Sequence, residues 1–370
     1  MHTSGRRTFL KLMGQFTAIL CMGFTQRKAF SQTGGTTSKK RYKRIDVDVH
    51  IGSKEYSDYL SGLQTSSGPE SVQMPAEGMP MQGQGQIPGG GAGEIENIDM
   101  RLKDMDENGI DMQLISWRNI GCSEFEVSDG IRWARKINNT LAELVNKYPD
   151  RFAAFCNVPW QEPTAAVTEM ERAAKDLGLK GIKIDSTIKG EYLDAKKYRP
   201  IFKKAEELEM PIFLHPDEMP ADMIKPYEAY PGLAGAGWGY AAEASLHAIR
   251  LIYSGLFDEF PRLKLMLGHM GEGVPYWLWR LDSKGGSRGL KKKPSEYIKE
   301  NLYVNTSGMF FHPALICACM AMGADHVLFA TDFPSESNKL AVEFMDTAPI
   351  ISESDKEKIC QLNAEKIFKL

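Results

Sequence analysis

The chain contains eight short apolar segments, separated by longer segments whose apolar residues have helical spacing. In the first of them, "RIDVDVHI", apolar and polar residues alternate, which is typical of a β-strand. The eight segments predicted as strands are Arg44–Ile51, Met112–Ser116, Phe152–Pro159, Gly181–Ile184, Pro211–His215, Lys264–His269, Leu302–Thr306 and Val327–Asp332.

Helices are predicted between these strands. "AVTEMERAAKDLGLKG" has apolar residues at helical spacing and a glycine after its last turn, and "PIFKKAEELEMP" begins at one proline and stops before the next. Eight strands that each precede a helix predict a parallel sheet that closes into a (β/α)8 TIM barrel, an α/β fold. An open doubly wound sheet is the alternative. It would need a glycine-rich phosphate-binding turn after the first strand, which "DVDVHIGSKEY" does not supply.

The composition of the 370 residues is that of an ordinary globular protein, with 42% hydrophobic and 25% charged residues. The formal net charge of -3 argues against nucleic acid as a partner, because phosphate binding needs a basic surface. No run of about 20 apolar residues is present, so no ordinary membrane span is predicted. The cysteines after the N-terminal segment form no CxxC pair and are predicted to be buried free thiols.

The N-terminal segment, residues 1–31, is predicted to be a signal peptide. Arg6-Arg7 precede "TFLK", a short apolar stretch and a small-residue exit at Ala29-Phe30-Ser31, a pattern that resembles a twin-arginine (Tat) signal. Residues 32–42 are polar and are expected to form a tether, and residues 43–370 the barrel. The protein is therefore expected to be exported to the periplasm.

A long insertion follows the first strand. Residues 65–94 are rich in Gly, Pro, Gln and Met and have no apolar periodicity, a composition that buries too little surface to order itself. The insertion is expected to be a mobile loop. Because the loops after barrel strands emerge at the face that carries the chemistry, two interpretations stay open, a substrate lid and an excursion without function.

Imidazoles and carboxylates occur at the predicted ends of several strands. Asp48 and His50 end the first strand, His215 the fifth, His269 the sixth and Asp332 the eighth. Burying such groups without partners is costly, so a divalent cation held by Asp48, His50, His215 and Asp332 is the simplest explanation. Imidazole nitrogen and carboxylate oxygen are ligands of Zn²⁺ and Mn²⁺, and one such ion is predicted.

These residues lie in motifs that resemble the amidohydrolase superfamily. "IDVDVHIG", "PIFLHP", "LMLGHMGEGVPYWLWRLD" and "VLFATDFP" are most similar to the branch with aminocarboxymuconate-semialdehyde decarboxylase and γ-resorcylate decarboxylase. The resemblance implies that the four predicted ligands hold the metal, and that His269, Glu272 and Arg280 take the positions of active-site residues. Strand four offers no obvious lysine to bridge two metals, which fits a mononuclear site. Many relatives have His or Glu where Asp48 stands.

The resemblance implies metal-dependent, non-oxidative decarboxylation of an aromatic or unsaturated carboxylic acid. Asp332 is the expected general acid, which requires a raised pKa, with His269 assisting. Arg118 is a candidate partner for the substrate carboxylate. Side chains expected to stack on a ring are those of Trp238, Tyr240 and Phe310.

Two alternatives to decarboxylation stay open. The same mononuclear site could serve a hydrolase of amides, esters or lactones, or a hydratase, with Asp332 as the base and His269 polarising a carbonyl. A barrel that binds an acid without converting it is the other alternative. By the same resemblance, the partners expected are a small carboxylic acid and further copies of the chain in a homo-oligomer.

Overall fold

The computed structural model describes residues 42–66, 94–118, 122–217, 219–286 and 289–370. The predicted signal peptide, nearly all of the predicted tether and residues 67–93 of the insertion lie outside this part of the chain. Within it, no helix combines the length and the apolar character that a membrane-spanning segment needs.

Eight parallel strands form one sheet in which each strand pairs with the next along the chain. All eight lie at predicted positions, and most of their residues are buried, as expected for strands covered by helices on one face and by a barrel interior on the other. The strands are β1 (Ile45–Ile51), β2 (Met112–Trp117), β3 (Phe152–Cys156), β4 (Gly181–Asp185), β5 (Ile212–His215), β6 (Leu265–Leu267), β7 (Leu302–Asn305) and β8 (Val327–Leu328).

Backbone hydrogen bonds close the sheet between its first and last strands. The Val47 amide donates to the Phe329 carbonyl (3.1 Å), and the His50 amide donates to the Phe333 carbonyl (2.8 Å). Phe329 follows β8 directly and Phe333 stands four residues later, so the chain after this short strand continues along β1. The predicted barrel is confirmed, and the open-sheet alternative is wrong.

Two predicted strand ends are wrong in a way that matters for the site. β6 was expected to reach His269 and β8 to reach Asp332, but they end two and four residues earlier, at Leu267 and Leu328. His269 and Asp332 have left-handed backbone conformations, with φ of 48° and 67°. These angles are incompatible with a strand, so both side chains belong to turns beyond the strand ends.

The helices begin and end near the predicted signals. In one of them, Pro200 stands in the first turn and the left-handed Glu209 (φ 54°) terminates the helix before Pro211. The helices are α1 (Lys54–Ser66), α2 (Ile98–Asn108), α3 (Val127–Lys147), α4 (Pro163–Lys175), α5 (Arg199–Leu208), α6 (Ala221–Ile224), α7 (Gly239–Tyr253), α8 (Leu256–Glu259), α9 (Val274–Lys284), α10 (Pro294–Asn301), α11 (His312–Met322), α12 (Asn338–Asp346), α13 (Glu353–Glu357) and α14 (Asn363–Phe368).

Apolar side chains fill the barrel interior at the end where the strands begin. Leu114, Phe155, Phe213 and Met266 pack together there, and Phe368 of α14 joins the same cluster, with its ring 5.4 Å from that of Phe155. A second, larger cluster lies between the strands and the surrounding helices. The polar residues of the interior are therefore left at the carboxyl ends of the strands.

The cysteines follow the prediction in part. None of the five in the described residues forms a disulfide, and Cys122, Cys156 and Cys360 are buried. Burial raises the pKa of the Cys122 and Cys156 thiols far above its usual range and that of the Cys319 thiol to about 11, which leaves them in their unreactive form at neutral pH. Cys317 and Cys319 on α11 are partly exposed instead of buried.

Candidate active site

Asp48 lies in β1 with its carboxylate fully buried. One oxygen, Oδ2, accepts hydrogen bonds from the Ser307 hydroxyl (2.7 Å) and the Asn305 side-chain amide (3.2 Å). The other oxygen, Oδ1, has no hydrogen-bond partner among the described residues. A buried carboxylate oxygen without a partner is costly, and a cation is the group that would satisfy it.

His50 projects from the same face of β1 as Asp48, since side chains two residues apart in a strand share a face. The Ser116 hydroxyl donates to the Val49 carbonyl (3.0 Å), so it accepts from His50 Nδ1 (3.0 Å). This fixes the proton of the neutral ring on Nδ1. Nε2 is then the ring atom left for a metal; it lies 3.0 Å from Asp332 Oδ1, within hydrogen-bond distance if the ring also carries a proton there.

His215 ends β5 and faces His50, with the two ring centroids 4.8 Å apart. Its Nδ1 lies 3.2 Å from Asp185 Oδ1 but is not well aligned for a hydrogen bond. Burial lowers the pKa of His215 and the nearby Lys183 charge lowers it further, although Asp185 opposes both. The ring is therefore a neutral imidazole, the form that binds metals.

Asp185 at the end of β4 is itself held by an ion pair with Lys183, whose ammonium group also donates to the Trp117 carbonyl (3.2 Å). Burial would raise the pKa of Asp185, but Lys183 and His215 outweigh it and lower the pKa to about 2. Lys183 is thus occupied as the counter-ion of Asp185. This agrees with the expectation that strand four offers no lysine to bridge a second metal.

Asp332 lies in the turn after β8, where its amide donates to the Asp48 carbonyl (2.9 Å). Burial would raise the pKa of Asp332, but the imidazoles of His269 and His50 outweigh it and lower the pKa strongly. This environment alone does not supply the raised pKa that a general acid needs. Two imidazoles face it, and they stabilise the carboxylate form.

His269 and Glu272 lie in a turn in which five consecutive residues, 269–273, have positive φ. Glu272 Oε1 accepts from His269 Nδ1 (2.5 Å), and His269 Nε2 lies 3.9 Å from Asp332 Oδ2. Burial alone would lower the pKa of His269, but Glu272 and Asp332 raise it well above 6.5. Gly308 (φ 58°) gives the ring room, because a Cβ there would lie 3.1 Å from His269 Cδ2.

The structure brings the four predicted ligands together. One ligand atom from each of Asp48, His50, His215 and Asp332 can be chosen so that all lie within 4.8 Å of one another. Two imidazole nitrogens and two carboxylate oxygens suit one Zn²⁺ or Mn²⁺ ion, and the partnerless Asp48 Oδ1 is what such an ion would bind. The Asp48 side chain is long enough to belong to the group.

The predicted substrate-binding residues do not share one environment. Arg118, just after β2, forms an ion pair with Glu94 and is one-third exposed. Trp238 is largely exposed at the start of α7, and Tyr240 is partly buried. Phe310 packs against the core, with its ring 5.8 Å from that of Phe344. Arg280 is exposed on α9, without a hydrogen bond or ion pair to the described residues.

A buried hydrogen-bond network lies beneath the site. Asp46 accepts from the Thr331 hydroxyl (2.7 Å) and amide (3.0 Å), and from the Gln113 side-chain amide (3.2 Å). The Arg101 guanidinium donates to Gln113 Oε1 (3.0 Å) and to the His50 carbonyl (2.5 Å). Arg101 gave no signal in the sequence, because an arginine in an amphipathic helix normally faces solvent.

Other residues of the site were missed although a signal existed. Ser116, Asn305 and Ser307 stand at or just after the ends of β2 and β7, the same place that identified the ligands. Asp185 ends β4 in the same way. These residues would have been found if every polar residue near the end of a strand had been considered, and not only the few histidines and aspartates chosen as metal ligands.

Comparison with known proteins agrees with this geometry. The family model described as amidohydrolase matches residues 45–370. The chain is 40% identical over 286 residues to a γ-resorcylate decarboxylase from Rhizobium sp., an alignment that covers 74% of this chain and 87% of the relative.

Solved structures of similar proteins include metal-bound forms. A 5-carboxyvanillate decarboxylase from Novosphingobium aromaticivorans, in complex with manganese and 4-hydroxy-3-methoxy-5-nitrobenzoic acid, is 33% identical with a TM-score of 0.80, covering 92% of this chain and all of the other. A dihydroxybenzoic acid decarboxylase from Polaromonas sp. with bound manganese and 2-nitroresorcinol is 31% identical with a TM-score of 0.75, covering 89% and 97%. The chain belongs to the amidohydrolase family, in the branch that contains these aromatic acid decarboxylases.

Proposed function

We propose that this protein is a metal-dependent, non-oxidative decarboxylase of an aromatic carboxylic acid, with hydroxybenzoates as the first candidates. The observation that carries the proposal is the group of four ligands beside a protonated imidazole, His269, whose Nε2 lies 3.9 Å from Asp332. The similarity to a γ-resorcylate decarboxylase supports this class of substrate.

Asp48, His50, His215 and Asp332 would hold one divalent ion, Mn²⁺ or Zn²⁺. When bound, the ion supplies a Lewis acid that holds the substrate carboxylate and a neighbouring phenolic oxygen. The protein groups around it keep the ligands in the required form. Ser116 keeps the His50 proton on Nδ1, and Asp185 lies beside Nδ1 of His215, which leaves both Nε2 atoms free to bind.

The reaction replaces a C–CO₂⁻ bond by a C–H bond, so the ring carbon must receive one proton; CO₂ then leaves and the electron pair of the broken C–C bond stays with the ring, which becomes aromatic again. His269 is the group that holds a proton at neutral pH, because Glu272 stabilises its cationic form. Asp332 joins His269 to the other ligands, because its Oδ2 lies 3.9 Å from His269 Nε2 and its Oδ1 lies 3.0 Å from His50 Nε2. We assign to Asp332 the delivery of the proton to carbon, and to His269 its resupply.

Arg118 is proposed to recognise the acid group or a hydroxyl of the substrate. Its guanidinium lies beside Gly52, two residues beyond His50, and it pairs with Glu94, the last residue of the insertion. The Ile95 amide donates to the Gly52 carbonyl (2.9 Å), so the chain leaving the insertion is joined to the end of β1. The two interpretations of the insertion concern residues 67–93, which lie outside the described residues. We also propose that the rings of Trp238, Tyr240 and Phe310 contact the substrate. Arg280 is a further proposed substrate-binding residue.

One observation favours a second candidate, a hydrolase or hydratase. The lowered pKa of Asp332 makes this carboxylate a base at rest, which is the form needed to take a proton from water. Decarboxylation is preferred because it also uses the proton on His269.

The test is a screen of hydroxybenzoates, cinnamates and related acids with Mn²⁺ or Zn²⁺, in which CO₂ release is measured separately from ester, lactone and amide cleavage and from hydration. CO₂ release alone is expected. Hydrolysis or hydration alone would refute the proposal.

The residue assignment is tested by Asp332→Asn, with metal content measured in the same preparation. We expect a metal-containing variant with at least 1,000-fold lower activity. The control is Asp194→Asn, which removes a surface ion pair with Arg250 and should leave activity unchanged. An active Asp332→Asn variant would exclude the proton-delivery role.

We also propose that the protein is exported by the Tat pathway, on the strength of Arg6-Arg7 and the apolar stretch that follows. Replacing both arginines by lysine should retain the protein in the cytoplasm. A fractionation that finds the unchanged protein in the cytoplasm would contradict this.

Assembly into a homo-oligomer is proposed because α9 presents Tyr276, Trp277 and Trp279 to solvent, with exposures of 75%, 49% and 71%. Such a cluster of large apolar side chains is typical of a surface covered by a partner. Light scattering should give a mass of at least two chains, and Trp279→Glu should lower it. A monomer at micromolar concentration would refute this.

A further inference from the structure

Glu243 on α7 is a fully buried carboxylate that the proposed mechanism does not use. It accepts a hydrogen bond through Oε2 from the hydroxyl of Ser186, which follows β4 directly. Ser186 has a left-handed backbone with φ of 51°, a conformation that non-glycine residues adopt only at a cost. The hydrogen bond to Glu243 therefore holds a strained residue in place.

His247 lies one turn further along α7, beside the Glu243 carboxylate. Its Nε2 accepts from the Leu193 amide (3.0 Å), so the proton of the neutral ring is on Nδ1, 3.7 Å from Glu243 Oε1. At this distance the two atoms form no hydrogen bond, and neither has a hydrogen-bond partner in the described part of the chain. Glu243 is thus held on α7 with Oε2 accepting from Ser186 and Oε1 beside the His247 imidazole.

Ser186 connects this pair to the metal site. Its amide donates to the His215 carbonyl (2.9 Å), and its neighbour Asp185 places Oδ1 3.2 Å from His215 Nδ1. A change of φ at Ser186 would rotate the end of β4 and move the Asp185 carboxylate away from the imidazole.

We propose that Glu243 is a positioning residue of the metal site. Its carboxylate holds the Ser186 hydroxyl, this fixes the left-handed backbone at Ser186, and the fixed backbone places Asp185 against His215. The inference rests on the proposed role of His215 as a metal ligand. It assigns to α7, outside the ligand group, a part in setting metal affinity.

The decisive comparison is between Ser186→Ala and Ser186→Gly, measured as Mn²⁺ dissociation constants on otherwise identical protein. Both variants remove the hydroxyl, but glycine adopts positive φ without strain and alanine does not. We expect Ser186→Ala to weaken Mn²⁺ binding by about 10-fold or more, in the range for groups that orient metal ligands. Ser186→Gly should weaken it by about threefold or less.

Two Glu243 variants test the other end of the hydrogen bond. Glu243→Gln keeps one acceptor oxygen for Ser186 and should stay within about threefold of the unchanged protein, whereas Glu243→Leu should match Ser186→Ala. The control is Glu169→Leu on α4, which removes an equally buried carboxylate that accepts from Asn138 and Arg172. It should lower the melting temperature without changing Mn²⁺ affinity.

Equal affinities for Ser186→Ala and Ser186→Gly would overturn the proposal, even if Glu243→Leu fails to fold. A Glu243→Leu variant that binds Mn²⁺ as tightly as Glu169→Leu would do the same. His215→Ala separates this failure from failure of the proposed function. If His215→Ala binds Mn²⁺ like the unchanged protein, the ligand assignment itself is wrong.

Discussion

Replacing Arg101 tests whether the buried network under the site stabilises the barrel. Arg101 is fully buried on α2, and its guanidinium donates to Gln113 Oε1 (3.0 Å) and to the His50 carbonyl (2.5 Å). The same group lies over the Phe333 ring, 4.8 Å from its centroid. It therefore joins α2 to β1, to β2 and to the turn after β8.

The expected magnitude follows from two opposing effects. Arg101→Met removes two hydrogen bonds from a cation, worth about 1.5–3 kcal/mol each. Against this, burial lowers the pKa of Arg101 from 12.5 to about 10, although Asp46 raises it. That shift corresponds to a cost on the order of 3 kcal/mol for keeping the cation inside, which methionine does not incur. The net loss in free energy of unfolding is about 2 kcal/mol.

Arg101→Lys is expected to be worse than Arg101→Met. A lysine ammonium cannot reach both acceptors, so it leaves one unpaired and still keeps a buried charge, for a loss of about 3 kcal/mol. At about 2 °C per kcal/mol for a domain of this size, melting of metal-free protein should fall by about 4 °C for methionine and about 6 °C for lysine.

The control is Arg132→Met, which breaks an exposed ion pair with Asp129 and should change melting by less than about 1 °C. If Arg101→Lys is as stable as the unchanged protein, a positive charge at this position is enough for stability, and the proposed need for two hydrogen bonds from the guanidinium is refuted. If Arg101→Met is as stable as the unchanged protein, the hydrogen bonds of Arg101 only balance the cost of burying its charge and give no net stability.

Three further predictions follow from the site. Ser116→Ala removes the acceptor that fixes the His50 proton, so Mn²⁺ titration should give an affinity about 10-fold lower, and an unchanged value would exclude this role. Burial lowers the pKa of His269, but Glu272 raises it well above 6.5, so the ring is fully protonated below about pH 6.5 and loses its proton as the pH rises through the raised pKa. Glu272→Gln should therefore move the alkaline fall of the pH–rate profile to lower pH. A shift to higher pH would contradict this assignment. Mn²⁺ at about 100 times its Kd should raise the free energy of unfolding by about 2.7 kcal/mol over EDTA-treated protein, and equal melting temperatures would argue against a metal in this group.

The strands and the metal ligands could be predicted because both depend on local pattern. Alternation and apolar runs placed all eight strands, and the strand-end argument brought Asp48, His50 and His215 to one face. It also brought Asp332 there, although the strand stops earlier than expected. The prediction succeeded because a chain leaving a barrel strand stays at the same end of the barrel for several residues.

The environment of each group could not be predicted, since it depends on contacts far apart in the chain. The pKa of Asp332 is lowered by His50, which is 282 residues away in the chain, and by His269, which lies in the turn after β6. Arg101 became buried because Gln113 and the His50 carbonyl offer acceptors inside the barrel wall. No periodicity in the sequence distinguishes such an arginine from one that faces solvent.

A comparison of Asp46 in β1 with Asp332 in the turn after β8 explains why we propose His269 as the proton source. Burial raises the pKa of Asp46 to about 7, even though Thr331 donates two hydrogen bonds that lower it. Asp332 is partly exposed, and imidazoles on two sides hold it as a carboxylate. A resting Asp332 therefore has no proton to give, and any proton that it delivers to carbon must first come from His269. Decarboxylation then requires His269 to be cationic, whereas hydrolysis without that proton loses only the polarisation of the carbonyl and keeps water activation by the Asp332 carboxylate. A variant that keeps Asp332 and lacks the His269 proton, such as Glu272→Gln at alkaline pH, should consequently lose CO₂ release, while hydrolysis, if it were the true reaction, would be slowed and not abolished.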